Sequence, residues 1–125
     1  MKLLVLLLVL IPSLALAEKS FKGEKSGTHD CASDPDVAIN TGDGTFTITG
    51  ECDKIGINGG KNTIKIESVK KLGLNGGHNK VDVGSAEKIG VNGSDNIVTY
   101  KTGPGGKGKP KVGSVGVRNK ITQVK

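Results

Sequence analysis

The sequence predicts an all-β fold, a small right-handed parallel β-helix of about four to five coils built on a 17-residue repeat. Three observations carry that prediction. The segments KIGINGGKNTIKI from Lys54, KLGLNGGHNKVDV from Lys71 and KIGVNGSDNIVTY from Lys88 recur at a constant interval, which means one supersecondary unit stacked on copies of itself. Within each unit apolar residues alternate with small or polar ones, as in Ile55-Gly56-Ile57 and Ile64-Lys65-Ile66, the period of short strands. Across units the apolar positions align: Ile55, Leu72 and Ile89; Ile57, Leu74 and Val91; Ile64, Val81 and Val98; Ile66, Val83 and Tyr100. Each set forms an inward column if equivalent strands of successive coils pair about 4.8 Å apart. Helices are disfavoured by 20 glycines and abundant β-branched residues. A propeller blade needs roughly 40 residues or more, over twice the observed interval. The right hand is the default for parallel crossovers.

The elements follow in chain order. Met1 and Lys2, the apolar run Leu3 to Ile11 and the exit Pro12 to Ala17 read as a secretory signal at residues 1–17, cut after Ala15-Leu16-Ala17. The run is too short for a permanent membrane span, and Glu18 rather than Cys after the cut argues against lipid attachment. An exported product, periplasmic or secreted, is expected, without a transmembrane segment in the mature chain. Residues 18–30 are polar and read as a mobile N-terminal segment. The solenoid domain is expected over 31–125. Its first coil is Val37 to Ile48, 18 residues ahead of the next copy, with Asp43-Gly44 where later coils carry Asn. In the repeats, Asn-Gly-Gly or Asn-Gly-Ser supplies a corner, where Gly and Asn accept positive φ. Residues 103–110, Gly-Pro-Gly-Gly-Lys-Gly-Lys-Pro, interrupt the pattern as a flexible basic loop, and 111–125 form a degenerate cap coil without the Gly-Gly pair.

Cys31 and Cys52 are the only cysteines. An even pair in an exported chain reads as a disulfide, here pinning the N-terminal coil. His29 lies close by, but no second His or CxxC pair completes a ligand set, so neither a metal nor any other cofactor is expected.

The net charge of +6 falls to +5 when Lys2 leaves with the signal. This excess permits acidic polysaccharide or anionic lipid headgroups as partners. Only Phe21, Phe46 and Tyr100 are aromatic, too few to stack bases, and no specific nucleic acid is expected. Lys54, Lys71 and Lys88 form a column beside the outward glycines Gly56, Gly73 and Gly90. That row is the candidate binding site for a linear polyanion, weighed against lysines that merely block edge pairing and aggregation. Asn58, Asn75 and Asn92 form one amide column and Asn62, Asn79 and Asn96 another, both read as structural ladders in which stacked amides bond between coils. An amide row facing a sugar would need those side chains outward.

No catalytic constellation repeats, and the chain is read as a non-enzymatic binding or structural module of the cell envelope. The alternative is a small polysaccharide-active enzyme on a β-helix scaffold, for which His78 and Asp95 on adjacent coils are the only pair on offer. Ice binding would need a Thr-x-Thr row, and Thr63 and Thr99 lie in different columns.

A Cys, a coil, a second Cys and then serial [IV]-x-[IV]-x-G-x-x-N-x-[IV] units resemble the bacterial exported family catalogued as domain of unknown function 3060. The matching stretches are Val37 to Ile48, Ile55 to Ile66, Leu72 to Val83 and Ile89 to Tyr100, with Cys31 and Cys52 at the family's positions. The resemblance implies a small β-solenoid and an exported location, and it brings no activity.

Overall fold

A computed structural model describes residues 18–125; the expected signal at 1–17 lies outside them. Nine strands follow one another: β1 (Lys19–Lys22), β2 (Ser26–Asp30), β3 (Asp36–Asn40), β4 (Thr45–Gly60), β5 (Thr63–Gly77), β6 (Lys80–Ser94), β7 (Ile97–Thr102), β8 (Lys111–Val117) and β9 (Lys120–Gln123). All pair in parallel, mostly with the strand one coil away, and stack into a solenoid of about five turns. No helix among the described residues is long and apolar enough to cross a membrane.

The alternating sequence drives this arrangement because each coil buries alternate residues and leaves the others to solvent. Ile55, Leu72 and Ile89 are in direct register, as are Ile57, Leu74 and Val91, and all are buried. The columns from Ile64 and Ile66 run through Val81 and Val98, and through Val83 and Tyr100. Each fully buried aliphatic side chain contributes roughly 1.5–3 kcal/mol, so a thin core is held by repetition. A third short side carries the column Cys52, Val69 and Ala86, also buried. The Cys31–Cys52 disulfide sits at the N-terminal end of that column and replaces an aliphatic pair there.

Two features keep the corner after each first strand in shape. Gly59, Gly76, Gly93 and Gly116 all have φ between 120° and 146°, and a Cβ on any of them would overlap the carbonyl oxygen of the coil above. The residue two places on has φ of 56–58° without being glycine: Lys61, His78, Asp95 and Arg118. Only the first glycine of each pair is therefore obligatory. The cap coil, which lacks the pair, retains that glycine as Gly116.

Residues 18–30, expected as a mobile segment outside the domain, are instead the first coil. β1 pairs with β3 and β2 with β4, placing Phe21 over Ile39 and Gly27 over Phe46. The Phe21 ring fills the space a side chain at Gly27 would occupy and stacks on Phe46 with centroids 4.9 Å apart. One aromatic thus serves two core columns and closes this end of the stack. Lys19 Nζ lies over its outer face at 4.8 Å from the centroid.

Candidate ligand-binding face

The first strand of every coil presents three outward positions, and the register turns each into a row. Lys54, Lys71 and Lys88 align as the sequence indicates, and Lys111 of β8 extends the row by one. Asp36 stands at its N-terminal end. The middle row is Ala38, Gly56, Gly73, Gly90 and Gly113; the third is Asn40, Asn58, Asn75 and Asn92, ending in Val115.

The lysines are exposed and none has a carboxylate within ion-pair distance among the described residues. Neighbours at strand spacing repel by something under about 1 kcal/mol in water. Burial explains none of them. The glycines are equally unexplained from within: Gly56, Gly73, Gly90 and Gly113 have no positive φ, and a Cβ at each would meet nothing closer than 4.0 Å. Glycine in a strand weakens it by roughly 0.5–1 kcal/mol relative to alanine, and it commonly marks close approach of another chain or ligand. A flat floor with cations along one rim is what remains.

The two Asn columns part company in the structure. Asn62, Asn79 and Asn96 are buried, and each amide is fully used. Asn79 Oδ1 accepts from the backbone N–H and the Nδ2 of Asn62, at 3.0 and 3.1 Å, while its own Nδ2 donates to the Gly59 carbonyl and to Asn96 Oδ1, at 3.0 and 3.1 Å. Asn119, which sequence reasoning left out, continues the ladder by accepting from Asn96. At the other end the Gly44 N–H donates to Asn62 Oδ1 and takes the place of a further amide. By contrast Asn58, Asn75 and Asn92 are exposed, and the only side-chain bond along that row joins Asn58 Nδ2 to Asn40 Oδ1 at 3.1 Å. They line the far rim of the glycine floor and are a surface row, not a ladder.

The remaining polar groups lie elsewhere. His78 Nε2 is 3.8 Å from Asp95, but that carboxylate accepts from Arg118 Nε and Nη2 at 2.7 and 3.0 Å. Those bonds, with smaller attraction from Arg118 and His78, keep the Asp95 carboxyl below the usual range despite some desolvation, and raise Arg118 in return. The pair occupies the corner row of positive-φ residues. On the second side Thr99 Oγ1 donates to Asp82 at 2.6 Å beside an open cavity of about 510 Å³. Thr63 is in register with Thr45 and Lys80, and Thr99 with Asp82 and Thr122, so Thr63 and Thr99 belong to different rows and each has one threonine neighbour. Among the described residues no group of three or more His, Cys, Asp or Glu is placed to hold a metal.

Comparison with known families matches residues 39–82 and 71–118 to the family described as Protein of unknown function (DUF3060). The chain belongs to that family. Its two matched stretches overlap over 71–82, so the DUF3060 pattern is read twice along one stack, and together they take in all four lysines and all four glycines of the exposed face. No curated protein and no solved structure matches the chain.

Proposed function

We propose that this DUF3060 solenoid is an exported, non-enzymatic binding module of the bacterial envelope or exterior that seats an extended anionic glycan on its lysine–glycine–asparagine face. The observation that carries the reading is the column Gly56, Gly73, Gly90 and Gly113, small residues that neither φ nor packing requires, between a cationic rim and an amide rim. A polymer running along the solenoid axis meets one lysine and one amide per coil, at an interval of about 4.8 Å. The size of a sugar ring is of that order. Lysine supplies charge attraction, asparagine supplies a donor and an acceptor to hydroxyls, and glycine lets the ring approach the backbone. A line of charges on a flat floor suits a linear chain better than a bilayer surface.

The disulfide, a bond at home in oxidising compartments, supports the exported location. Support for a non-enzymatic role comes from the His78–Asp95 pair, whose carboxylate is already engaged bidentately by Arg118 and which lines none of the surface cavities described. The test is retention of residues 18–125 on immobilised heparin, polyuronate or lipopolysaccharide against a variant carrying Lys54→Gln, Lys71→Gln and Lys88→Gln. Wild-type protein is expected to elute at clearly higher salt. Equal elution of the two would sink the proposal.

A further inference from the structure

Beyond the 18-residue step from β3 to β4, the interval on this face lengthens at one place. Successive ladder asparagines are 17 residues apart up to Asn96, and then 23 separate Asn96 from Asn119. The same step carries Lys88 to Lys111, so six extra residues enter just before the first strand of the last coil. Earlier coils turn this corner directly, from Lys70 to Lys71 and from Glu87 to Lys88, so the insertion is not needed to close the coil.

The inserted loop has a definite shape. Its neck, Gly103 and Pro110, is buried. Gly103 N–H donates to the Gly108 carbonyl at 2.9 Å, and a 3-10 turn at Pro104–Gly106 folds back with Gly106 and Lys107 N–H donating to Gly103 and Pro104. A side chain at Gly103 would collide with the backbone of Lys109. The neck is therefore tight, and it sets Lys109 beside the end of the lysine row. The result is a cavity of about 500 Å³ lined by Lys70, Lys71, Glu87, Lys88, Pro104, Lys109 and Lys111. Lys70 is 3.6 Å from Asp53 and is thereby paired. The other four lysines line the cavity together with a single acidic residue, Glu87, and none forms an ion pair with it.

We infer that the insertion builds a pocket for a phosphate monoester at the C-terminal end of the lysine row. Repulsion among four exposed lysines at one opening is weak in water, but their combined charge attracts an anion, and one carboxylate group of a ligand would leave most of it uncompensated. A dianionic phosphate presents three non-ester oxygens, and lysine meets it as a point charge with three rotatable donors. None of the lining residues is aromatic, so the pocket reads the phosphate and not a ring attached to it. The inference deepens the reading of the face above, sharing Lys71 and Lys88 with it. It stands separately on Lys109 and the loop.

The experiment is a titration of 15N-labelled residues 18–125 at constant ionic strength with inorganic phosphate and with glucose 1-phosphate, followed by backbone amide shifts. Shifts are expected to concentrate at Lys71, Lys88, Lys109 and Lys111 and in the loop, and Lys109→Gln is expected to weaken phosphate binding about threefold or more. Lys54→Gln should leave the phosphate titration unchanged while lowering retention on the polymer column, which separates failure of the pocket from failure of the row. Flotation with phosphatidylcholine vesicles containing phosphatidic acid distinguishes a lipid source of the phosphate from the sugar phosphate, and binding of either supports the pocket. Shifts spread evenly over lysines such as Lys22, Lys25 and Lys61, or a Lys109→Gln titration identical to wild type, would overturn it.

Discussion

At the scale of single residues, two pairs of near-identical positions have opposite consequences. Asn79 and Asn75 are four residues apart and recur at the same interval, yet one is buried with every amide valence used and the other lies on the surface. Asn79→Ala strips a partner from the Asn62 N–H and the Gly59 carbonyl inside the stack, and is expected to cost about 2–4 kcal/mol in urea unfolding. Asn75→Ala should fall within about 0.5 kcal/mol of wild type in the same measurement. The glycines divide likewise. Gly76→Ala would strain a φ of 141° and collide with the Gly59 carbonyl, for a loss above about 2 kcal/mol, whereas Gly73→Ala enters open space and should be neutral or stabilising by up to about 1 kcal/mol. If the floor is a ligand seat, the second variant is the more informative, because it should melt no lower than wild type while binding the polyanion less tightly. Asp95 adds a small pH dependence. Its folded carboxyl is lowered, so its contribution is present above the ordinary carboxylate range near 3.8 and is lost as pH falls below it, an effect that Arg118→Gln should remove from the acid limb of the stability profile.

The elements differ most at the two ends. The N-terminal coil is tied by the Cys31–Cys52 bond, by Phe21 against Phe46 and by parallel pairing of β1 and β2 to the coil beneath. Closing a loop of 21 residues contributes about 3 kcal/mol on the chain-entropy account. Reduction should therefore lower the stability of the whole stack by roughly that amount, and the loss of amide protection in hydrogen exchange should begin in β1 and β2. The C-terminal coil has no such fastening. Every residue of β8 is exposed, Val115 by 68%, and only Ile121 is partly buried on β9. Its amides should exchange fastest among the paired strands, ahead of β5 and β6, in native-state hydrogen exchange. The pattern VGSVGVRNKIT indicated a cap coil, and the strands are there. The polar tract before Cys31 concealed a coil, because a single Phe paired with a Gly replaced two aliphatic positions and the Asn-Gly corner is absent.

At the scale of the molecule, repetition turns weak local features into faces. One lysine per coil is an ordinary surface residue, but four in a row on a glycine floor make a line of charge without internal purpose. Binding along it should be strongly salt-dependent, since exposed charges are largely screened beyond about 8 Å at physiological ionic strength. The row's fourth member escaped sequence reasoning because the six-residue insertion moved Lys111 out of phase; aligning Arg118-Asn119 with His78-Asn79 restores it. Strand alternation could also have told the Asn columns apart. With Ile57 inward Asn58 must face out, and with Ile64 inward Thr63 faces out and Asn62 returns to the core.

The inward aliphatic columns, the parallel stacking and the identity of the corner residues were legible because a fixed interval forces equal residues into equal environments, whatever the details of the turns. Three things depended on the folded chain: that Phe21 closes the N-terminal end, that only the first glycine of each corner is indispensable, and that the loop at 103–110 brings Lys109 to the end of the lysine row. The first and third are contacts at places where the interval fails, and a contact that is not repeated leaves no period to read; the second recurs in every coil, but it lies in backbone geometry that two adjacent glycines do not reveal.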